Sequence, residues 1–173
     1  MVDPSAPDPG IRTARPSEYP LLRQIEAASD QLFAQVGIGP LASSLQDDQL
    51  AEAAAVFVSG SPPVGFACLT VVDGEAHLWQ LSVLPSAGRQ GRGTALVEAV
   101  CDWARQQGLP SVTLTTFRDV AWNAPFYARL GFRETDELGP GLLAVRRHET
   151  AIGDDGFGVR IAMRRFVGPQ AAG

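Results

Sequence analysis

Lysine is absent from the 173-residue sequence, so all 14 Lys+Arg positions are arginine. A nucleotide-binding P-loop, which requires the tripeptide Gly-Lys-Ser/Thr, is thereby excluded. Cysteine is almost absent as well: Cys68 and Cys101 are too few for a disulfide framework. Neither belongs to a CxxC pair or a Cys/His cluster that could hold zinc. Both stand in apolar stretches, which predicts buried thiols and a reducing compartment. A basic excess is missing too, because 14 Lys+Arg against 19 Asp+Glu leave a formal net charge of −5. That balance argues against nucleic acid or an anionic membrane surface as partner. No run approaches the ~18 apolar residues of a membrane span. Residues 1–10 lack the basic and apolar regions of a secretion signal and read as a flexible leader, with a cytoplasmic location expected. Residues 168–173 read as a flexible tail, which leaves one domain over 11–167.

What is present is punctuated clearly. A short strand is expected at 11–15, followed by a helix opened by Ser17, with Leu21, Leu22, Ile25, Ala28, Leu32 and Phe33 at helical spacing. A shorter helix is expected at 45–55 and a strand at 56–58. The strongest local signal is Val64–Val72, then Asp73-Gly74, then Glu75–Val83. Asp-Gly between two strand-like runs is a hairpin, because both turn positions need positive φ. A loop over 84–93 leads to a helix over 94–107, closed by Gly108 and Pro110. Strand 111–117, a short helix at 124–130, strand 132–134, a helix at 142–152 and strand 159–167 complete the order. These elements imply an α/β (α+β) fold, a mixed sheet packed by helices.

The segment Leu84-Pro-Ser-Ala-Gly-Arg-Gln-Gly-Arg-Gly93 joins a strand to a helix, an arrangement that can bind phosphate. N–H groups at a helix start have no intrahelical partner, and the macrodipole is positive there. Gly91 and Gly93 allow close approach, while Arg89, Arg92 and Thr94 add two cations and a hydroxyl. A dinucleotide fingerprint does not fit, since Gly91-Arg-Gly-Thr-Ala-Leu96 ends on leucine and follows an antiparallel hairpin.

The loop and helix start resemble the acetyl-CoA pyrophosphate motif of the GCN5-related N-acetyltransferases, [QR]-x-x-G-x-[GA]. Downstream, Phe126-Tyr-Ala-Arg-Leu-Gly-Phe132 resembles that family's LY-x-x-LGF motif. The resemblance implies a mostly antiparallel sheet of about six to seven strands. It further implies that acetyl-CoA, without metal, lies in a splay between the fourth and fifth strands. Backbone groups of Leu81, Ser82 and Val83 would face the pantetheine arm; Gly88, Arg89, Gln90, Gly91, Arg92, Gly93 and Thr94 would cradle the pyrophosphate. Gly88 stands where the family usually has Gln or Arg, so one side-chain contact is missing. Asn123 and Phe126 complete the expected cofactor contacts.

For the chemistry, the resemblance makes Tyr127 the general acid that protonates the departing thiolate. A phenol of pKa ~10 can serve a thiol of pKa ~8.5. The usual fourth-strand glutamate has no counterpart in Ala76-His-Leu-Trp-Gln-Leu-Ser82. His77, sharing a face with Trp79 opposite Leu78, Gln80 and Ser82, is a candidate base, with a half-exposed strand histidine as the alternative. Glu26, Glu75 and Asp119 stay open as bases, and His148 is read as part of a solvated helix face. Trp122 is read as core, with a place in the acceptor-pocket lining as the alternative, and segment 139–152 is a candidate cover for the acceptor. The expected reaction is direct acetyl transfer to a small or amino-acid-like primary amine, by a monomer or homodimer. The alternatives are acetylation of a protein N-terminus or lysine, and a degenerate acyl-CoA-binding regulatory module.

Overall fold

The computed structural model describes residues 10–41 and 45–168. The expected leader and tail fall outside them, except for Gly10 and Gly168. The strands are β1 (Ile11–Thr13), β2 (Ala55–Ser59), β3 (Gly65–Val72), β4 (Glu75–Val83), β5 (Ser111–Phe117), β6 (Arg133–Glu134) and β7 (Arg160–Phe166). The helices are α1 (Tyr19–Ala34), α2 (Asp47–Glu52), α3 (Arg92–Gln106), α4 (Ala124–Arg129) and α5 (Pro140–Ala151). All strands join one seven-stranded sheet in the order β1-β2-β3-β4-β5-β7-β6. Only the β4–β5 pair is parallel. This is the mixed, mostly antiparallel architecture that the sequence implied.

The sheet is covered on both faces, and strand alternation decides which side chain goes where. Ala67, Leu69, Ala76, Leu78, Val112 and Leu114 face α3, packing on its Leu96, Val97, Val100, Cys101 and Ala104. Val56, Val58, Phe66 and Cys68 point the other way, onto Leu22 and Ile25 of α1 and Leu50 of α2. Each fully buried aliphatic side chain of this kind contributes about 1.5–3 kcal/mol. The two cysteines are unbridged and buried, as expected. Burial pushes their thiols up to about 12 for Cys68 and about 11 for Cys101.

The starts of α1 and α3 differ from expectation in how they are capped. Ser17 does not cap α1; it lies in a 3-10 turn, Pro16–Glu18, where the Glu18 carboxylate accepts the Arg15 N–H at 2.8 Å. A carboxylate closes that turn better because it also pairs with Arg12 Nη2 at 2.7 Å. Helix α3 begins at Arg92 rather than Thr94, because Gly91 at φ +76° takes the N-cap place. Arg92 and Gly93 therefore belong to the helix's first turn.

The hairpin turn has a second task. Asp73 and Gly74 adopt φ +54° and +75°, as a two-residue turn requires. Asp73 Oδ1 accepts the Gly141 N–H and its Oδ2 the Leu142 N–H, both at 2.8 Å. The turn thus caps α5 from a remote part of the chain, satisfying two N–H groups that the helix itself cannot. A Cβ on Gly139 or Gly141 would come within 2.6 or 2.7 Å of that carboxylate, so only glycine allows the approach.

Candidate functional site

β4 and β5 are paired at only two positions, Ala76 with Val112 and His77 with Thr113. Beyond them the strands part, while β3 and β7 hold their outer edges along nearly the whole length. The splay thus leaves the inner edges of Leu78–Val83 and Leu114–Phe117 without a strand partner. Opposite β3, Leu78 pairs with Leu69 and Gln80 with Cys68, so Trp79 is the extra residue of a β-bulge. The bulge overturns the simple alternation expected here. Ala76 and Leu78 face α3, as do Leu81 and Val83 across the bulge. Trp79 is 40% exposed.

A cavity of about 270 Å³ opens at the splay. Its walls come from both strand ends, from Asp30 and Phe33 of α1, from His148 and Glu149 of α5, and from Trp122 and Tyr127. Trp122 is not core: it is 38% exposed and packs on Phe33 with ring centroids 5.7 Å apart. Proline at position 125, inside the first turn of α4, leaves the preceding Trp122-Asn123 as irregular chain beside the cavity. The covering role considered for segment 139–152 has a geometric basis, since Val145, His148, Glu149 and Ile152 of α5 line this cavity.

Tyr127, half-buried, stacks edge-on to Phe126 and Phe132, with centroids 5.1 and 5.8 Å away. Its hydroxyl makes no hydrogen bond among the described residues, and burial pushes the phenol above its ordinary value. His77 is 2% exposed, and its Nδ1 lies 2.9 Å from Thr113 Oγ1. Burial lowers it to about 4, against the weaker pull of Glu149, Glu75 and Asp73. It is therefore a neutral imidazole near pH 7 and a poor proton acceptor, and it is not the half-exposed residue of the alternative reading.

The other acids sort by partner. Glu75 accepts Arg164 Nε at 2.7 Å and the Ser111 hydroxyl, which ties β4 to β5 and β7. Glu149 accepts from Thr115, Arg146 and, at 3.1 Å, Arg160. Glu26 is buried under the Leu45 N–H, 3.1 Å from each carboxylate oxygen. Asp119 is exposed and outside the cavity wall. Asp30 lines the cavity, and burial raises it to about 6. Sequence reasoning passed over Asp30 and preferred core to pocket lining for Trp122. The available signal was weak: Asp30 stands one residue from Ser29 and three from Phe33, at the margin of an apolar stripe.

At the far end of the splay, α3 presents its first turn behind Gly91. Arg89 is exposed, adopts φ +60°, and makes no hydrogen bond or ion pair among the described residues. Arg92 is committed differently, donating to Ser59 Oγ at 2.8 Å and to Gln90 Oε1 at 3.1 Å. Ser82 Oγ accepts from Gln80 at 3.0 Å, and Asn123 Oδ1 accepts the Thr116 hydroxyl at 2.7 Å. Phe126 Cζ would lie 3.5 Å from a Cβ on Gly93, so the motif phenylalanine packs close against the helix start. Among the described residues no group of three or more His, Cys, Asp or Glu is placed to hold a metal. No helix there is long and apolar enough to cross a membrane.

A sequence profile of the Acetyltransferase (GNAT) family matches residues 21–132. The chain belongs to that family. The GNAT fold extends beyond the matched span, as solved structures show. The ribosomal-protein-S18-alanine N-acetyltransferase of Escherichia coli superposes with TM-score 0.65 at 21% identity, covering 94% of this chain and 96% of its own. The PaiA N-acetyltransferase of Thermoplasma acidophilum, solved with coenzyme A, gives 0.65 at 15% identity over 90% and 97%. The N-acetylglutamate synthase of Neisseria gonorrhoeae, solved with coenzyme A and N-acetyl-glutamate, gives 0.67 at 21% identity. Here 91% of this chain is covered but 35% of that one. The GNAT protein described here is thus an acetyltransferase, and acetyl-CoA fits it as co-substrate.

Proposed function

We propose that this acetyltransferase moves the acetyl group of acetyl-CoA to the primary amine of a small, amino-acid-like acceptor by direct attack in a ternary complex. The carrying observation is the walled cavity of about 270 Å³ at the β4–β5 splay. That volume lies at the low end of small-molecule sites, and part of it must hold the acetyl thioester itself. Helices α1 and α5 both supply walls of this cavity, which supports a small acceptor over a protein one.

The pyrophosphate is assigned to the α3 start, Gly88 to Thr94, with Arg89 as the side-chain cation. Arg92 acts as a brace that holds the loop to β2. An anion there meets unpaired N–H groups, the positive macrodipole end and a guanidinium able to make charge-assisted bonds. The parted inner edge of Leu81, Ser82 and Val83 is available to the pantetheine arm, with Asn123 and Phe126 on the facing side.

Tyr127 is proposed as general acid. Its raised pKa keeps the hydroxyl protonated at working pH, and no competing partner occupies it. The amine nitrogen bonds to the acetyl carbon, the carbon–sulfur bond breaks and the phenol proton goes to the sulfur, while the proton shed by the acylated nitrogen passes through solvent and restores the phenol. With His77 held neutral and bonded to Thr113, the acceptor's own deprotonation in water supplies the nucleophile. The test is thiol release from acetyl-CoA against amines, amino acids, polyamines, aminoglycosides and peptides. Turnover of small amines with inert peptides is expected; the reverse order would overturn the acceptor assignment.

A further inference from the structure

We propose that the acceptor carries two cationic centres: the amine that is acetylated, and a second ammonium held by the Asp30 carboxylate beside the rings of Phe33 and Trp122. The proposal rests on the acetyltransferase reading above and names the acceptor class of that site.

Asp30 and Phe33 stand three apart on α1, a spacing that places both side chains over one helix face, and both line the cavity. Phe33 packs on Trp122 at 5.7 Å and on Phe117 at 5.8 Å, and exposed Trp79 borders the same space. Ring faces attract a cation through their quadrupole, and most strongly where water is thinned out.

Among the described residues, charge pairing in the wall leaves the Asp30 carboxylate as the unbalanced group. Glu149 is neutralised by Arg146 and Arg160. Arg160 donates to Glu149 and Thr115 and its guanidinium lies 4.7 Å over the Phe117 ring, so Phe33 and Trp122 are the rings left open to a ligand cation. The buried Arg160 Nε lacks a hydrogen-bond partner among the described residues. His77 is uncharged, and His148 lies on the exposed side of α5. Arg23, also on α1, pairs with Asp47 at 3.1 Å. Asp30 makes no hydrogen bond or ion pair among the described residues, and the buried Glu26 nearby is of like charge. A half-buried carboxylate without a partner is unfavourable, and a ligand ammonium removes that penalty.

The Asp30 end is distinct from the reacting end. Its rings are Phe33, Phe117 and Trp122, whereas Tyr127 is grouped with Phe126 and Phe132. A carboxylate on the reacting nitrogen would also keep that nitrogen protonated and unreactive. Asp30 therefore reads a second charge and sets acceptor specificity.

The experiment measures thiol release from acetyl-CoA with 1,4-diaminobutane and with butylamine, for the wild type, Asp30→Asn and Asp30→Glu. The wild type should favour the diamine by at least tenfold in kcat/KM, about 1.4 kcal/mol. Asp30→Asn should bring that ratio within about threefold of unity, and Asp30→Glu should retain it. A wild-type ratio near unity, or a preference that survives Asp30→Asn, overturns the proposal. Calorimetric binding of 1,4-diaminobutane to the CoA-loaded protein gives a readout independent of turnover, and Asp30→Asn should weaken it about tenfold. Asp30-dependent binding without thiol release from any amine would keep the cation site and defeat the acetyl-transfer reading. Equal turnover of both probes would keep acetyl transfer and defeat the cation site.

Discussion

Replacing Gly91 by alanine separates the strain of the α3 entry from its role toward the cofactor, because the fold contains a matched control. Gly91 has φ +76° and Gly74 has φ +75°, and at both a built Cβ meets nothing within 4 Å. Steric collision therefore contributes to neither substitution, and each costs only what an L-residue pays in the left-handed region, about 1–2 kcal/mol. For a chain of this size each kcal/mol lowers Tm by about 2–4 °C, so both variants should melt about 2–8 °C below the wild type. Their effects on coenzyme A should differ. Gly91 sets the direction of the first N–H groups of α3, and a charge-assisted hydrogen bond lost there is worth about 1.5–3 kcal/mol. Gly91→Ala should thus weaken CoA binding by about 10- to 150-fold in titration calorimetry, while Gly74→Ala, in the β3–β4 turn, stays within about twofold of wild type. Equal CoA affinity for the two variants would remove the α3 start as the pyrophosphate cradle. An unchanged Tm for Gly91→Ala would refute the left-handed entry itself.

Four further outcomes are expected. Tyr127→Phe should lower kcat by about 10²–10⁴-fold with little change in CoA affinity, since the ring packing survives and only the proton donor is lost; near-full kcat in steady-state assays would dismiss it as the acid. Arg89→Gly exchanges a strained left-handed residue for one that accepts φ +60°, so stability should stay within about 1 kcal/mol while CoA binding weakens and loses part of its salt dependence. Burial raises Glu26 to about 7 from an ordinary 4.5, so its protonated form favours the fold. That contribution is full below about pH 4.5 and disappears as pH rises through about 7. Glu26→Gln should accordingly escape about 1–2 kcal/mol of the loss seen by urea unfolding between pH 4.5 and 8, and parallel pH profiles would contradict it. Asp73→Ala should cost about 1–2 kcal/mol through the uncapped N–H groups of α5, read by the same unfolding assay; an unchanged midpoint would refute the remote cap.

Much of this was legible from local chemistry. The Asp73-Gly74 hairpin, the strand over 111–117 and the helix stop at Gly108 depend on dihedral preferences that single residues carry, and the structure has each of them. The glycine loop and Phe126-Tyr127 with Gly131-Phe132 were legible because they repeat family motifs at fixed spacing, within the span that the family profile matches. The rest depended on strand register and tertiary packing. The Trp79 bulge is a register shift against Cys68 and Leu69, which strand periodicity alone does not encode. Trp122 looked like core because its size and apolarity say nothing about which cavity it borders. Asp30 acquires meaning only when α1 docks over the splay, and the α5 cap joins residues 68 and 69 positions apart.

That cap bears on any attempt to change what the enzyme acetylates. Helix α5 lines the proposed acceptor cavity, yet its first turn is completed by the Asp73 carboxylate and admitted only by the glycines at 139 and 141. A replacement segment grafted over 139–152 carries its own side chains into the pocket but leaves its anchor behind in the β3–β4 turn. The transferable unit of acceptor specificity is therefore discontinuous: position 73 must travel with the helix, or the new wall will not sit where its sequence intends.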